Sequence, residues 1–250
     1  MENVSAPPGV PRAAATVMLV RQRAGDGLDV YLTRRSSRSR FMPDAYVFPG
    51  GRVDDADRSP AARERLLGDV SGIAPEFAIA ALRELFEEAG VLIAADRRGA
   101  PAVPSDEDLR EMRAALNAGA LLTDLLERRD LVLDARRLAY YSNWVTPEFE
   151  PIRFDTHFFI ARAPRGQTAE ADAVEVHDGR WFAPTEALER AKNGEMNVQF
   201  PTRAHLERIA AHDTVESLFG HARSRRIVPV VPIRDSPGEM PRFVPGTENW

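Results

Sequence analysis

Apolar residues recur along the chain with two different periods, and the change of period marks the change of element. Two short apolar runs, Ala15–Val20 and Leu28–Thr33, flank the turn signal Gly25-Asp26-Gly27 and predict an antiparallel hairpin. A third run, Ala45–Phe48, predicts a strand that leads into a loop at Pro49-Gly50-Gly51, where glycine lets backbone approach a ligand closely. Residues 54–75 hold one short helical candidate after Ser59-Pro60. Helical spacing then sets in over Pro75–Ala89, with Gly90 as the stop. The polar, alanine-rich stretches Ser105–Ala118 and Thr123–Arg129 predict helices of an inserted lobe, about residues 101–130. Strand patterns return at Leu138–Val145, Arg153–Ala161 and Val174–Phe182, and helices follow at Thr185–Lys192, Thr202–Ala211 and Thr214–Ser224. The proline-broken stretch 227–250 offers at most an edge strand. Mixed strands with helices between and after them predict one α/β/α layered domain with helical insertions. Its expected span is 13–235, between an N-terminal arm, 1–12, and a C-terminal tail, 236–250.

Composition narrows what such a domain can do. With 250 residues and 44% hydrophobic positions the chain can bury a sizeable core. The absence of cysteine excludes disulfides, thiolate catalysis and cysteine-held zinc, so any metal sits on oxygen or imidazole. A net charge of -5 sets aside a general nucleic-acid binder. No apolar run is long enough to span a membrane, and the start MENVSAPPGVPR lacks the apolar core of a secretory signal. These features together predict a cytoplasmic protein without a nucleic-acid or membrane partner.

The helix over Pro75–Ala89 carries the candidate chemistry. Glu84, Glu87 and Glu88 stand at i, i+3 and i+4 and share one face, while Ile79, Leu82, Phe86 and Ala89 form the opposite, buried one. Three carboxylates this close repel by roughly 3 kcal/mol per pair at an effective dielectric near 20, and a divalent cation removes that cost. Hard oxygen donors suit Mg²⁺ or Mn²⁺. The spacing also allows Arg83 to pair with Glu87. Taken alone, an ExxEE face more often belongs to a solvated helix surface. The histidines (His157, His177, His205, His212, His221) are dispersed without ligand spacing and read as structural or exposed.

Arg83-Glu84-Leu85-Phe86-Glu87-Glu88-Ala89-Gly90-Val91, preceded by Val47-Phe48-Pro49-Gly50-Gly51, resembles the Nudix box, Gx5Ex7REUxEExGU, of the Nudix hydrolases. The resemblance implies a Nudix-type α/β/α sandwich with a mixed sheet. It implies that Glu84, Glu87 and Glu88 hold the metals, that Gly51 offers a backbone carbonyl, and that Arg83 orients the glutamates. Two departures stand out. Arg83 lies 32 residues after Gly51, where the uninterrupted box has about 14, an insertion of about 18 residues. The box's first glutamate falls on Pro75, so its bracing role passes to Asp54, Asp55 or Glu76.

Upstream, Leu32-Thr33-x-Arg35-Ser36, then Arg40 and the Phe48–Gly51 run, are similar to the signature of the coenzyme A diphosphatases in this family, with Asp44 where that signature has glycine. Together with Trp144-Val145-Thr146-Pro147 and Arg153-Phe154-Asp155-Thr156, this is most similar to the peroxisomal coenzyme A diphosphatase branch and its bacterial relatives. The resemblance implies a small-molecule nucleotide substrate. Coenzyme A or an acyl-CoA would be split to 3′,5′-ADP and (acyl-)phosphopantetheine, with Arg35, Arg40 and Gly50 at the phosphates, and the protein would form a homodimer. The alternatives are hydrolysis of ADP-ribose, NADH or a nucleoside triphosphate, or a non-catalytic nucleotide-sensing module. Glu84 is the candidate base, together with Glu148, Glu150, Asp155, Glu170 and Glu175 on later segments, among which the sequence does not choose.

Overall fold

Every second side chain of the first strand enters a different core, and this sets the architecture. The computed structural model describes residues 9–38, 42–172, 176–236, 239–247 and 250, with the backbone but not the side chain of residue 177. Strand β1 (Arg12–Gln22) sends Ala15, Val17 and Leu19 into one cluster and Met18 and Val20 into another. Such a strand lies inside a sheet covered on both faces.

The chain continues through β2 (Leu28–Arg35), β3 (Tyr46–Val47), β4 (Gly50–Arg52), a 3-10 turn at Ala56–Arg58, α1 (Pro60–Glu64) and β5 (Leu66–Leu67). Then come α2 (Pro75–Ala89), β6 (Ala94–Asp96), α3 (Asp106–Asn117), α4 (Leu122–Glu127) and β7 (Leu131–Asp134). The second half holds β8 (Leu138–Val145), β9 (Phe154–Arg162), β10 (Val176–Phe182), α5 (Pro184–Lys192), α6 (Phe200–Ile209), α7 (Val215–Ser224) and β11 (Pro229–Val230).

Among the described residues the main sheet has eight strands in the order β10-β2-β1-β9-β8-β11, with β3 paired to β2 and β4 to β1. It is mixed, because β1 pairs parallel with β9 and antiparallel with β2. Helices α2, α3 and α4 contribute to the core on one face, and α5, α6 and α7 to the core on the other. The Nudix-type α/β/α sandwich expected from the sequence is the fold observed. Among the described residues no helix is long and apolar enough to cross a membrane.

The structure corrects or extends the local expectations at four points. Gly50 and Gly51 do not sit in an open loop but in β4, where Gly51 pairs with Ala15 and Gly50 with Thr16. The stretch before them forms only the two-residue β3. The connection between the halves contains a second, three-stranded sheet, β5-β7-β6, which sequence periodicity did not indicate. The tail segment is anchored as well as paired: β11 runs parallel to β8, and Trp250 is buried 5.0 Å from the Trp144 ring.

Candidate active site

Helix α2 starts at Pro75, whose fixed φ suits the first helical position, and ends at Gly90 in the left-handed conformation (φ 68). It is buried almost all round, not on one side only: besides the apolar residues, Glu84 is 9% and Glu88 4% exposed. The solvated-face reading of ExxEE therefore does not hold for this helix. Its carboxylates line a cleft.

Arg83 organises this wall. Its Nε and Nη2 donate to the two carboxylate oxygens of Asp57, both at 2.9 Å. Its Nη1 donates to Glu84 Oε1 at 3.0 Å and Glu87 Oε2 at 2.7 Å, and Nη2 also reaches the Arg52 carbonyl at 2.9 Å. Burial works against the guanidinium charge, but the Asp57 hydrogen bonds and the charges of Glu84, Asp57 and Glu87 outweigh it and hold the Arg83 pKa above its ordinary value. Asp57, in the 3-10 turn, is 3% exposed and also accepts from the Asp54 N–H at 2.9 Å. The sequence offered Asp54, Asp55 or Glu76 for this bracing position. Instead Asp57 occupies it, Asp54 approaches Arg83 only to 3.8 Å, and Glu76 faces Arg58 at 3.4 Å.

Opposite the helix, β4 brings backbone against carboxylate. The Gly50 N–H donates to Glu88 Oε2 at 3.0 Å, and a Cβ on Gly51 would lie 2.3 Å from Glu84 Oε1. Any larger residue there would displace the Glu84 carboxylate. Among the described residues no group of three His, Cys, Asp or Glu side chains forms a ready-made metal cage. Mg²⁺ does not require one, since it is commonly held by one or two carboxylates with water and substrate phosphate completing its shell. Glu84 and Glu88, against the glycine strand, and Glu87 beside them on the cleft wall are all oxygen donors and fit such an ion in kind.

The cleft measures about 1170 Å³. Arg35 lines it, as do Gly50 and Gly51, whereas Arg40 lies outside the described residues. Arg52 and Asp172 also line it, and the sequence reading singled out neither. Asp44 has φ 57 and pairs with Arg34 at 2.8 Å, which accounts for glycine at the corresponding place of the signature, because left-handed backbone favours glycine and tolerates aspartate. Of the later acids, Glu150 lines the cleft and is paired with Arg234 at 2.8 Å. Asp155 lies 3.7 Å from His157, Glu148 is exposed, and the Glu170 N–H donates to the Ala89 carbonyl at the end of α2. Glu175 falls outside the described residues. Arg113 on α3 reaches the same helix, its Nε donating to the Glu87 carbonyl at 2.9 Å. His157 is packed 4.0 Å from Phe77 and 5.4 Å from Tyr140, ring centre to ring centre, and burial lowers its pKa despite Asp155.

The family described as NUDT19 Nudix domain matches residues 65–209, a span that includes all of α2. The acyl-coenzyme A diphosphatase NUDT19 of Gallus gallus is 32% identical over 247 residues, covering 80% of this chain and 65% of that protein. The human protein of the same name is 28% identical, with 83% of this chain and 67% of that one covered. The chain thus spans about two thirds of the length of these relatives. Among solved structures, a NUDIX hydrolase from Alicyclobacillus acidocaldarius superposes with a TM-score of 0.76 at 30% identity, covering 84% of this chain and 96% of that one.

Proposed function

The chain belongs to the Nudix hydrolase family, and from that premise we propose that it cleaves the phosphoanhydride bond of coenzyme A or an acyl-CoA with the help of Mg²⁺ or Mn²⁺. The products would be 3′,5′-ADP and phosphopantetheine or its acyl form. The observation that carries this reading is the gathering of Glu84 and Glu87, fixed by Arg83, and Glu88, held by the Gly50 N–H of the glycine strand, on the wall of one large cleft. The choice of substrate is supported by the upstream Leu32–Gly51 signature, with Arg35 on the cleft wall, and by the names of the relatives.

A divalent cation at these carboxylates would neutralise the diphosphate and make bound water a better nucleophile. The protein's own residues do the rest. Arg83 keeps Glu84 and Glu87 in register along the helix, and Glu88 is held against β4 by the Gly50 N–H. Glu84 accepts the proton of the attacking water, the new P–O bond forms on one phosphorus, and the bridging P–O bond breaks with its electrons on the leaving phosphate. Arg35 binds phosphate oxygens, a task for which a planar guanidinium is well shaped.

The test is a panel of coenzyme A, acyl-CoA, NADH, ADP-ribose and deoxynucleoside triphosphates with Mg²⁺, products identified by mass. Release of phosphopantetheine, abolished by excess EDTA, is expected. Preferential turnover of ADP-ribose or a triphosphate would overturn the substrate, and full activity in EDTA would overturn the mechanism.

A further inference from the structure

The last turn of α2 carries Glu87 and Glu88, and a helix end is where backbone carbonyls run out of partners within the helix. The Gly90 N–H closes the helix on the Phe86 carbonyl at 3.0 Å, so the carbonyls that follow are met from outside. That of Glu87 accepts from Arg113 Nε, on α3, at 2.9 Å, and that of Ala89 from the Glu170 N–H at 2.9 Å. Gln167 continues the seam: its side-chain amide donates to the Leu92 carbonyl and accepts from the Leu92 N–H, both at 2.9 Å. The Arg113 guanidinium lies across the helix end, since a Cβ on Gly90 would stand 3.1 Å from its Nη1, and positive charge is favoured at a helix C-terminus. Burial holds the Arg113 pKa below its ordinary value, against the attraction of Asp172, Glu170 and Glu88. Its Nη2 is buried with no partner among the described residues. A buried donor left unpaired costs stability, so an apolar side chain would serve the packing of α3 better than this arginine does.

Resting on the metal-dependent hydrolase reading above, we propose that Arg113 is a positioning residue, which holds from outside the helix the turn that presents Glu87 and Glu88 to the ion. The two arginines divide the work. Arg83 grips Glu84 and Glu87 by their carboxylates, whereas Arg113 grips the backbone on which Glu87 and Glu88 stand. Without Arg113 the end of α2 keeps only the Glu170 and Gln167 contacts beyond it, and the turn bearing two of the three proposed ligands loosens.

The experiment compares Arg113→Gln and Arg113→Lys with the unaltered protein. It measures the Kd for Mn²⁺ without substrate, from the electron paramagnetic resonance of the free ion, and kcat and KM at saturating Mg²⁺ on the best substrate of the panel. Loss of a partner behind a metal ligand typically costs about 10- to 100-fold in metal affinity or activity, so Arg113→Gln should weaken Mn²⁺ binding and lower kcat, each about tenfold or more, with little change in KM. Arg113→Lys keeps a donor and the charge and should recover part of both losses. The sign separates positioning from charge: a cation near carboxylates repels a divalent ion, so a role through charge alone would tighten Mn²⁺ binding in Arg113→Gln. Tighter or unchanged Mn²⁺ binding, or an unchanged kcat, overturns the proposal. If Arg113→Gln does not fold, Arg113→Lys decides alone, and a Kd and kcat equal to those of the unaltered protein overturn it. If the unaltered protein neither binds Mn²⁺ nor cleaves any member of the panel, the hydrolase reading itself has failed, and the positioning role with it.

Discussion

Arg83 uses all five of its N–H donors, two on Asp57 and one each on Glu84, Glu87 and the Arg52 carbonyl. A lysine has three donors on a single nitrogen and cannot reproduce that fork. Asp57 is thereby a positioning residue: it holds the arginine that holds the glutamates. Asp57→Asn keeps the shape and removes the charge, and the loss of such an outer partner typically lowers activity about 10- to 100-fold. The expected result is a fall in kcat with little change in KM, and partial recovery in Asp57→Glu. Equal activity in Asp57→Asn would remove the residue from the site. A proposed metal ligand should behave differently: Glu88→Gln should lower turnover by about 10³-fold with the fold intact, equivalent to roughly 4 kcal/mol in the transition state, as circular dichroism and kinetics together would show. The glutamates were legible from their spacing on a helix. Asp57 was not, because the insertion replaced a fixed offset in sequence by a contact closed in space.

Elements with a strong local period were read well from the chain. Helix α2 was bounded at Pro75 and Ala89 by its apolar spacing and its glycine stop, and β8 at Leu138 and Val145. The sheet connectivity was not legible, because the parallel pairing of β1 with β9 joins residues such as Ala15 and His157 that lie far apart in sequence. Two-residue strands such as β5 carry no period at all. Pairing also explains why Gly51 matters: β4 is fixed on β1, so the strand cannot retreat from α2. Gly51→Ala would push a methyl against Glu84 Oε1 and displace the proposed base, and a displacement near 1 Å there should lower kcat about 100-fold in steady-state kinetics. The start of α2 offers a change in the opposite direction. Its N-cap is Ala74, with extended backbone and no side-chain cap, so Ala74→Ser should add about 1 kcal/mol and raise Tm by roughly 2–4 °C in a calorimetric scan.

At the scale of the whole molecule the sheet separates two cores, and the one away from α2 is assembled around a histidine. His205 on α6 is fully buried, stacked on Phe158 of β9 at 4.2 Å and edge-on to Trp250 at 4.9 Å. Its Nδ1 donates to the Pro201 carbonyl at 2.6 Å, which leaves Nε2 to accept from the Ser142 hydroxyl of β8 at 2.7 Å. That arrangement needs the neutral ring. Burial pushes the pKa down to about 3; the Pro201 hydrogen bond opposes this, and nearby Arg208 and Arg225 reinforce it. Between about 3 and the ordinary value of 6.5 the unfolded chain binds a proton that the folded chain does not, so folding stability rises with pH in that window and is lost as pH falls through it. The slope from this one group reaches about 1.4 kcal/mol per pH unit. His157, lowered in the same sense, adds to the acid lability, so the test is a comparison: urea unfolding from pH 7 to pH 4 of the unaltered chain and of His205→Gln. The glutamine retains a donor and an acceptor but cannot protonate, and its stability should fall less steeply with acid. Parallel slopes for the two proteins would mean that the sandwich holds together in acid independently of the ring at its centre.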